Sequence, residues 1–161
     1  RLVAAMSPAV WLQSVVVCFL VEGGPPRCTH DRSLAESDVD KGQGTDIVKI
    51  SRIKEAYDLY ENRFAKKILC PAELNIFQEK QKSISYLAKR FAAKEAASKA
   101  LGTGIGLISW QDIEIKNNSL GAPILLLSGA AKARMELLGA TQSLVSLSDE
   151  VSHVVAFVVL S

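Results

Sequence analysis

Residues 90–104, RFAAKEAASKALGTG, decide the fold, because they predict a long helix that ends in a glycine-rich loop. Alanine and lysine favour the helix, and Gly102 is a typical helix stop. The only acid in the stretch, Glu95, has two interpretations. It is either half of a surface ion pair with Lys99, four residues later, or a charged ligand that a binding site requires.

The apolar residues on the same helix face indicate that Glu95 is partly buried. Leu87 and Phe91 precede Glu95 at intervals of four, so the face turns from apolar to charged near the acid. A carboxylate at such a border is partly desolvated and needs a cation or a proton. Helical spacing alone does not decide between the two interpretations.

The rest of the chain predicts an α+β fold, with helices packed on a mainly antiparallel sheet. Apolar periodicity and turn residues separate nine elements. Ser51 is the expected N-cap of the first helix, and Pro71 suits the first turn of the second. Strands are predicted over 44–50, 110–117, 123–129, 143–150 and 153–160, and helices over 52–69, 71–80, 83–101 and 130–139.

A domain boundary is expected near residue 41. Residues 9–21 form a nearly continuous apolar run of thirteen, followed by an acidic segment rich in glycine and proline. The run is shorter than the roughly 20 residues of a membrane span, so stable membrane insertion is not expected. Residues 1–40 are a targeting segment, a disordered tail or a spurious extension, and residues 41–161 form the domain. A cytoplasmic location is predicted, or a plastid or mitochondrial one if the extension is a transit segment.

The net charge indicates what kind of partner the chain binds, and the cysteine spacing indicates that its thiols are reduced. The net charge is −2 over residues 1–40 and +4 over residues 41–161, which favours an acidic partner or a phosphate but is too weak to indicate nucleic acid. The three cysteines form no CxxC pair, which is typical of reduced thiols rather than of disulfides or zinc.

Basic residues and glycines follow one another around the long helix. Lys89, Arg90, Lys94 and Lys99 precede the loop GTGIG at residues 102–106. Glycines let backbone N–H groups approach a phosphate, and lysines neutralise it. Together with a carboxylate at Asp46, where the first strand begins, this pattern suits Mg²⁺ held between carboxylates and substrate phosphates.

Five stretches in order closely resemble the holo-[acyl-carrier-protein] synthase family. They are GTDIVKISRI (44–53), RFAKKILCPAEL (63–74), YLAKRFAAKEAASKALGTGIG (86–106), WQDIEIKNNSLGAPILLL (110–127) and VSLSDE (145–150). The resemblance implies the 4′-phosphopantetheinyl transferase fold and a homotrimer with active sites between subunits. It also implies Mg²⁺-dependent transfer of 4′-phosphopantetheine from coenzyme A to acyl carrier protein, for fatty acid biosynthesis.

The resemblance also implies residue roles. Asp46 and Glu95 match the Mg²⁺ ligands, and Glu95 and Lys99 match the catalytic positions. The general base for the serine stays open, with Glu95 acting through a water as one candidate. Coenzyme A contacts are expected from Arg90, Ser98, Lys99, Gly102, Thr103 and Gly104, and carrier-protein docking from Arg52, Arg63, Lys66 and Lys67.

Two positions depart from the family pattern. Gln43 replaces an apolar strand residue, which predicts weaker pairing around Asp46. Leu144 stands where family members often carry a histidine, so a role for that histidine does not carry over, and His153 lies too far along the chain to replace it. A chain that binds coenzyme A or carrier protein with impaired catalysis is therefore the alternative function.

Overall fold

The structure is a computed structural model that describes residues 41–161. The predictions for residues 1–40, including the targeting segment and the expected lack of stable membrane insertion, lie outside the described residues. The strands are β1 (Gly42–Lys49), β2 (Ile113–Asn117), β3 (Pro123–Leu127), β4 (Ser143–Asp149) and β5 (His153–Leu160). The helices are α1 (Ile50–Ile68), α2 (Pro71–Glu79), α3 (Ile84–Ala100) and α4 (Gly129–Leu137), with a 3₁₀ turn at Trp110–Asp112.

The predicted order of elements and the α+β class are confirmed. Strands β1, β5 and β4 form one antiparallel sheet in that order, and β2 and β3 form an antiparallel hairpin. Several boundaries differ from the sequence prediction. Strand β1 begins at Gly42, residues 110–112 form a 3₁₀ turn before β2, and α1 begins at Ile50 after an N-cap at Lys49. The Ser51 cap is therefore wrong, because the strand runs into the helix without an intervening turn.

Helix α3 lies across the inner face of the three-stranded sheet. Its alanines are almost completely buried, and small side chains allow the helix to approach the strands closely. The approach is tightest at β1, where a Cβ atom added to Gly42 or Gly44 would overlap the carbonyl oxygens of Ala100 and Ala96. These two glycines therefore set the distance between β1 and α3, the two elements that carry Asp46 and Glu95.

Gln43 does not disturb the pairing of β1. The strand pairs with β5 over its whole length, from Gly42 opposite Leu160 to Lys49 opposite His153, and Asp46 lies opposite Ala156. Strand side chains alternate between faces, and Gln43 points to the exposed face whereas Gly44 faces α3. The predicted weakening is wrong because the substitution lies on the outer side of the sheet.

A buried ion pair between Lys94 of α3 and Glu73 of α2 stabilises the core. Lys94 Nζ lies 2.6 Å from Glu73 Oε2, and both side chains are at most 1% exposed. Lys94 Nζ also donates to the backbone carbonyls of Ile68 and Trp110, while Glu73 accepts hydrogen bonds from the backbone N–H groups of Cys70 and Ile115. Lys94 therefore joins α1, α2 and the 3₁₀ turn, and it is not one of the cations available to a phosphate.

Helix α1 has a sharp break at Glu61. This residue adopts φ 46° and ψ −128°, a conformation that costs a side-chain-bearing residue about 1–3 kcal/mol and that glycine adopts freely.

Among residues 41–161, no helix is both long enough and apolar enough to cross a membrane.

Because of the strained backbone at Glu61, glycine is expected to have opposite effects on stability at two positions of α1. Glu61→Gly is expected to raise the free energy of unfolding by about 1 kcal/mol, because strain relief exceeds the added entropy of the unfolded chain. Glu55→Gly, in the regular part of the same helix, is expected to lower it by about 1 kcal/mol. Urea denaturation of both variants measures the difference. A destabilised Glu61→Gly protein contradicts the strained backbone.

Candidate functional site

Strand β1 and helix α3 bring Asp46 next to Lys99. Asp46 lies on the face of β1 that packs against α3 and is only 6% exposed. Lys99 Nζ donates to Asp46 Oδ1 at 2.8 Å and to the carbonyl oxygen of Thr45 at 2.9 Å. The second carboxylate oxygen, Asp46 Oδ2, is buried and has no hydrogen-bond partner among the described residues. A buried carboxylate oxygen without a donor is unfavourable unless a ligand supplies the missing contact.

Glu95 is held by an aromatic N–H group instead of by a lysine. Trp110 Nε1 donates to Glu95 Oε1 at 3.1 Å, which fixes one oxygen of a half-buried carboxylate. The ion pair with Lys99 that helical spacing allowed does not form, because Lys99 turns to Asp46. The partial burial of Glu95 that its apolar helix face predicts is confirmed. Its interpretation as a charged ligand stays a prediction.

Burial disfavours the charged forms of both acids, and the charge of Asp46 adds to this effect at Glu95. Burial is the largest cause that raises the pKa of Asp46, and the hydrogen bond from Lys99 opposes it. Burial likewise raises the pKa of Glu95, the Trp110 hydrogen bond opposes it, and the nearby charge of Asp46 raises the Glu95 pKa further. Two partly or fully buried carboxylates, of which Asp46 raises the pKa of Glu95 and both of which Lys99 stabilises in the charged form, make a site that a cation would stabilise.

The raised pKa of Glu95 predicts how stability depends on pH. As pH rises above the ordinary Glu value of 4.5, the unfolded chain loses its proton before the folded protein does. The folded state then binds more protons, so its stability falls as pH rises through that window. We expect Glu95→Gln to be at least as stable as the wild type at pH 8 in the presence of a chelator. Guanidinium denaturation at pH 5 and pH 8 tests this; a variant that is less stable at pH 8 contradicts it.

The loop after α3 has the backbone that its glycines suggest. Gly102 and Gly104 adopt φ of 68° and 66°, and the N–H groups of Thr103 and Gly104 both point to the carbonyl of Ser98. The Ser98 hydroxyl donates to the carbonyl of Glu95 and is completely buried. Thr103 Oγ1 is also buried, and it has no hydrogen-bond partner among residues 41–161. Thr103 therefore offers an unused polar atom, whereas the Ser98 hydroxyl near the end of α3 already has a partner. The predicted contact of Ser98 with coenzyme A stays a prediction.

Arg90 lies inside this chain rather than on its surface. It is 4% exposed, its Nη2 donates to Asn117 Oδ1 at 2.7 Å, and its guanidinium stacks 4.6 Å from the centre of the Tyr86 ring. Its Nε also lies 3.9 Å from Glu73. These contacts hold α3 to β2. The predicted contact of Arg90 with coenzyme A stays a prediction.

The four predicted docking cations lie along α1. They are all exposed: Arg52 before the break at Glu61, and Arg63, Lys66 and Lys67 after it. Lys67 Nζ lies 5.5 Å from the centre of the Trp110 ring. The end of α1 that carries Lys66 and Lys67 is thus adjacent to the tryptophan that holds Glu95.

Sequence reasoning missed two residues that the site depends on. Trp110 was read only as a strand residue, and nothing in its surroundings indicates that its indole reaches Glu95. Glu73 had a detectable signal, because it follows Cys70 by three residues at the start of α2, which is the spacing of a capping box. Its second role, as the partner of Lys94, depends on tertiary packing.

Comparison with known proteins gives a consistent answer. Residues 42–158 match the family model described as the 4′-phosphopantetheinyl transferase superfamily. The holo-[acyl-carrier-protein] synthase of Alteromonas mediterranea is 56% identical over 120 residues, which cover 74% of this chain and 94% of that protein.

Solved structures agree with the sequence relatives. The holo-[acyl-carrier-protein] synthase of Neisseria meningitidis superimposes with a TM-score of 0.72 at 43% identity, covering 76% of this chain and 99% of that one. The Helicobacter pylori enzyme in complex with coenzyme A superimposes with a TM-score of 0.65 at 35% identity, covering 74% and 99% of the two chains.

Proposed function

The chain belongs to the 4′-phosphopantetheinyl transferase superfamily as a holo-[acyl-carrier-protein] synthase, and on that premise we propose that it transfers 4′-phosphopantetheine from coenzyme A to a serine of an acyl carrier protein. The observation that carries the proposal is the buried Asp46 next to the half-buried Glu95, beside Lys99 and the glycine-rich loop. The Helicobacter pylori relative, which holds coenzyme A, supports the choice of donor.

The proposed reaction moves one phosphoryl group. The serine oxygen of the carrier protein attacks the phosphorus that bears pantetheine, and a new P–O bond forms there. The bond from this phosphorus to the bridging oxygen breaks, and adenosine 3′,5′-bisphosphate leaves with that oxygen. The serine proton passes to a base, for which Glu95 acting through a water is a candidate. Such transfers depend mainly on positioning and on charge stabilisation.

The two acids fit Mg²⁺, which the proposal requires. Mg²⁺ binds through one or two carboxylates together with substrate phosphates and water, so a larger cluster of protein ligands is unnecessary. Among residues 41–161 there is no group of three or more His, Cys, Asp or Glu side chains placed to hold a metal. Within residues 41–161, Asp46 Oδ2 has no hydrogen-bond partner, and Glu95 has one oxygen outside the Trp110 bond, so both residues would hold the ion. The ion would supply positive charge to the diphosphate.

Lys99 would act beside these ligands. Its side chain is 43% exposed, so Nζ can contact Asp46 and also reach a phosphate oxygen at the surface. The glycines of the loop Gly102–Gly104 would let the nucleotide approach closely, and Thr103 Oγ1 would supply a hydrogen bond. Lys99 and the loop would thereby balance the charge of coenzyme A near the reacting phosphorus.

The exposed cations of α1 support an acidic partner. Arg52, Arg63, Lys66 and Lys67 would attract a carrier protein with a negative surface and align it with the site. A role in fatty acid biosynthesis and a cytoplasmic location belong to the same proposal.

A trimer is part of the proposal, with the outer face of the β1–β5–β4 sheet as its interface. This face exposes an apolar cluster: Ile47 is 65% exposed, Leu144 59%, Phe157 43% and Val155 39%. Apolar side chains clustered on a sheet face mark an interaction surface. Leu144 and Gln43 then lie where neighbouring subunits meet. Sedimentation equilibrium is expected to give three times the 17.4 kDa mass of the chain, and a monomer contradicts this part of the proposal.

Product analysis separates the transferase from the alternative. The chain is incubated with apo acyl carrier protein, coenzyme A and Mg²⁺, and both products are quantified by chromatography. One adenosine 3′,5′-bisphosphate per modified carrier protein supports transfer. Retention of coenzyme A without either product supports the alternative, a binding protein with impaired catalysis.

A further inference from the structure

We propose that Trp110 is a positioning residue that aims Glu95 at the cation, through the hydrogen bond from its indole N–H. This inference deepens the proposed function and rests on it, because it gives Glu95 the role of a metal ligand. Trp110 does not itself touch the substrate or the ion in this account.

The tryptophan is anchored independently of Glu95. It is 5% exposed, and its ring packs against Phe91 with the centroids 6.1 Å apart. Its carbonyl oxygen accepts a hydrogen bond from the buried Lys94 Nζ at 3.0 Å. The 3₁₀ turn that carries Trp110 is therefore held from the core side.

The neighbouring residue fastens the same turn to the end of α1. Gln111 Nε2 donates to the backbone carbonyls of Lys66, Lys67 and Leu69, at 3.0, 3.3 and 2.9 Å. Ser109 Oγ accepts from the N–H of Gln111 at 3.1 Å and closes the turn. With these contacts in place, the indole has a fixed position, and Glu95 must adapt to it.

The bond acts on one oxygen only. Trp110 engages Glu95 Oε1, which restricts rotation of the carboxylate and sets the direction of Oε2. An indole N–H can donate but cannot accept, so it binds the carboxylate without competing for the cation. Groups that orient a metal ligand in this way typically change metal affinity or activity by about 10–100-fold when they are removed.

Removal of the N–H group tests the proposal. Trp110→Phe keeps an aromatic ring against Phe91 but has no donor. With coenzyme A present, Mn²⁺ serves as the probe, and its dissociation constant is measured by electron paramagnetic resonance. We expect an increase of about 10-fold in Trp110→Phe. The matched control is Trp11→Phe, the same substitution at the other tryptophan of the chain, and its Mn²⁺ constant should stay within about 2-fold of wild type.

A second measurement keeps the native tryptophan and so does not depend on how well the variant folds. Trp11→Phe leaves Trp110 as the only tryptophan of the chain. Mg²⁺ added with coenzyme A is expected to shift the Trp110 emission, and Glu95→Gln in this background should abolish the shift.

The outcomes distinguish this inference from the proposed function. Wild-type binding of Mn²⁺ together with an unchanged constant in Trp110→Phe overturns the positioning role alone. A Trp110 emission that does not shift when Mg²⁺ is added, although the wild type binds Mn²⁺, also overturns the positioning role. A wild-type chain that binds no Mn²⁺ in the presence of coenzyme A overturns the metal pair as well.

Discussion

Asp46→Asn and Glu95→Gln are each expected to lower kcat/KM for phosphopantetheine transfer by about 10²–10³-fold. Each change removes a charge that would hold the cation against the coenzyme A diphosphate, while volume and hydrogen-bonding capacity are nearly conserved. The loss should fall mainly on kcat at saturating coenzyme A, because the charge is needed most in the transition state. Initial rates at several Mg²⁺ concentrations provide the measurement.

The matched control is Glu136→Gln on α4. Glu136 is an exposed acid whose side chain forms a surface ion pair with Lys132 at 4.0 Å, so its neutralisation should leave the rate unchanged. Thermal unfolding should show all three variants folded. Transfer by Glu95→Gln at the wild-type rate would show that the acid has only a structural role.

Lys94→Met is expected to destabilise the protein by about 3–5 kcal/mol, the largest stability effect that the structure predicts for one side chain. Methionine has similar length, but it cannot neutralise Glu73, and it leaves the carbonyl oxygens of Ile68 and Trp110 without a donor. A buried carboxylate left with Arg90 Nε at 3.9 Å as its remaining cation is more costly than the loss of the ion pair itself. Chemical denaturation followed by circular dichroism measures the change.

Two further variants separate burial from charge. Lys89→Met removes the cation of another ion pair of α3, but Lys89 and Asp149 are 31% and 40% exposed, so the cost should stay below about 1 kcal/mol. Adding Glu73→Gln to Lys94→Met removes the stranded charge and should recover about 1–3 kcal/mol. Equal costs for the Lys89 and Lys94 variants contradict the buried pair.

Much of the fold could be predicted because local signals agree with tertiary structure. Helix α3 has strong helix formers, a serine cap and a glycine stop, and it ends where the sequence predicts, with Gly102 at positive φ. Strand β5 likewise follows its β-branched sequence over the predicted residues 153–160. The boundaries that failed, such as Ser51, lie where one element runs directly into the next, so that no turn residue marks the change.

The candidate site was predictable only in part. Order of motifs placed Asp46, Glu95 and Lys99 together, and the structure brings Asp46 into contact with Lys99 and near Glu95. The local sequence could not show which lysine of α3 is buried in the core and which reaches the site, because Lys94 and Lys99 both lie among alanines. Tertiary packing separates them: Lys94 faces Glu73 in the core, and Lys99 faces Asp46 at the edge. The indole contact with Glu95 likewise spans two elements and has no local signature.

The mass of the carrier protein tests the central claim most directly. Apo acyl carrier protein is incubated with the full chain and coenzyme A, with Mg²⁺ in one sample and with excess chelator in the other, and intact masses are measured. We expect a gain of about 340 Da, the mass of one transferred phosphopantetheine, only in the sample with Mg²⁺. An unchanged carrier-protein mass in the Mg²⁺ sample contradicts the transferase, and an equal gain under chelation contradicts the metal pair of Asp46 and Glu95.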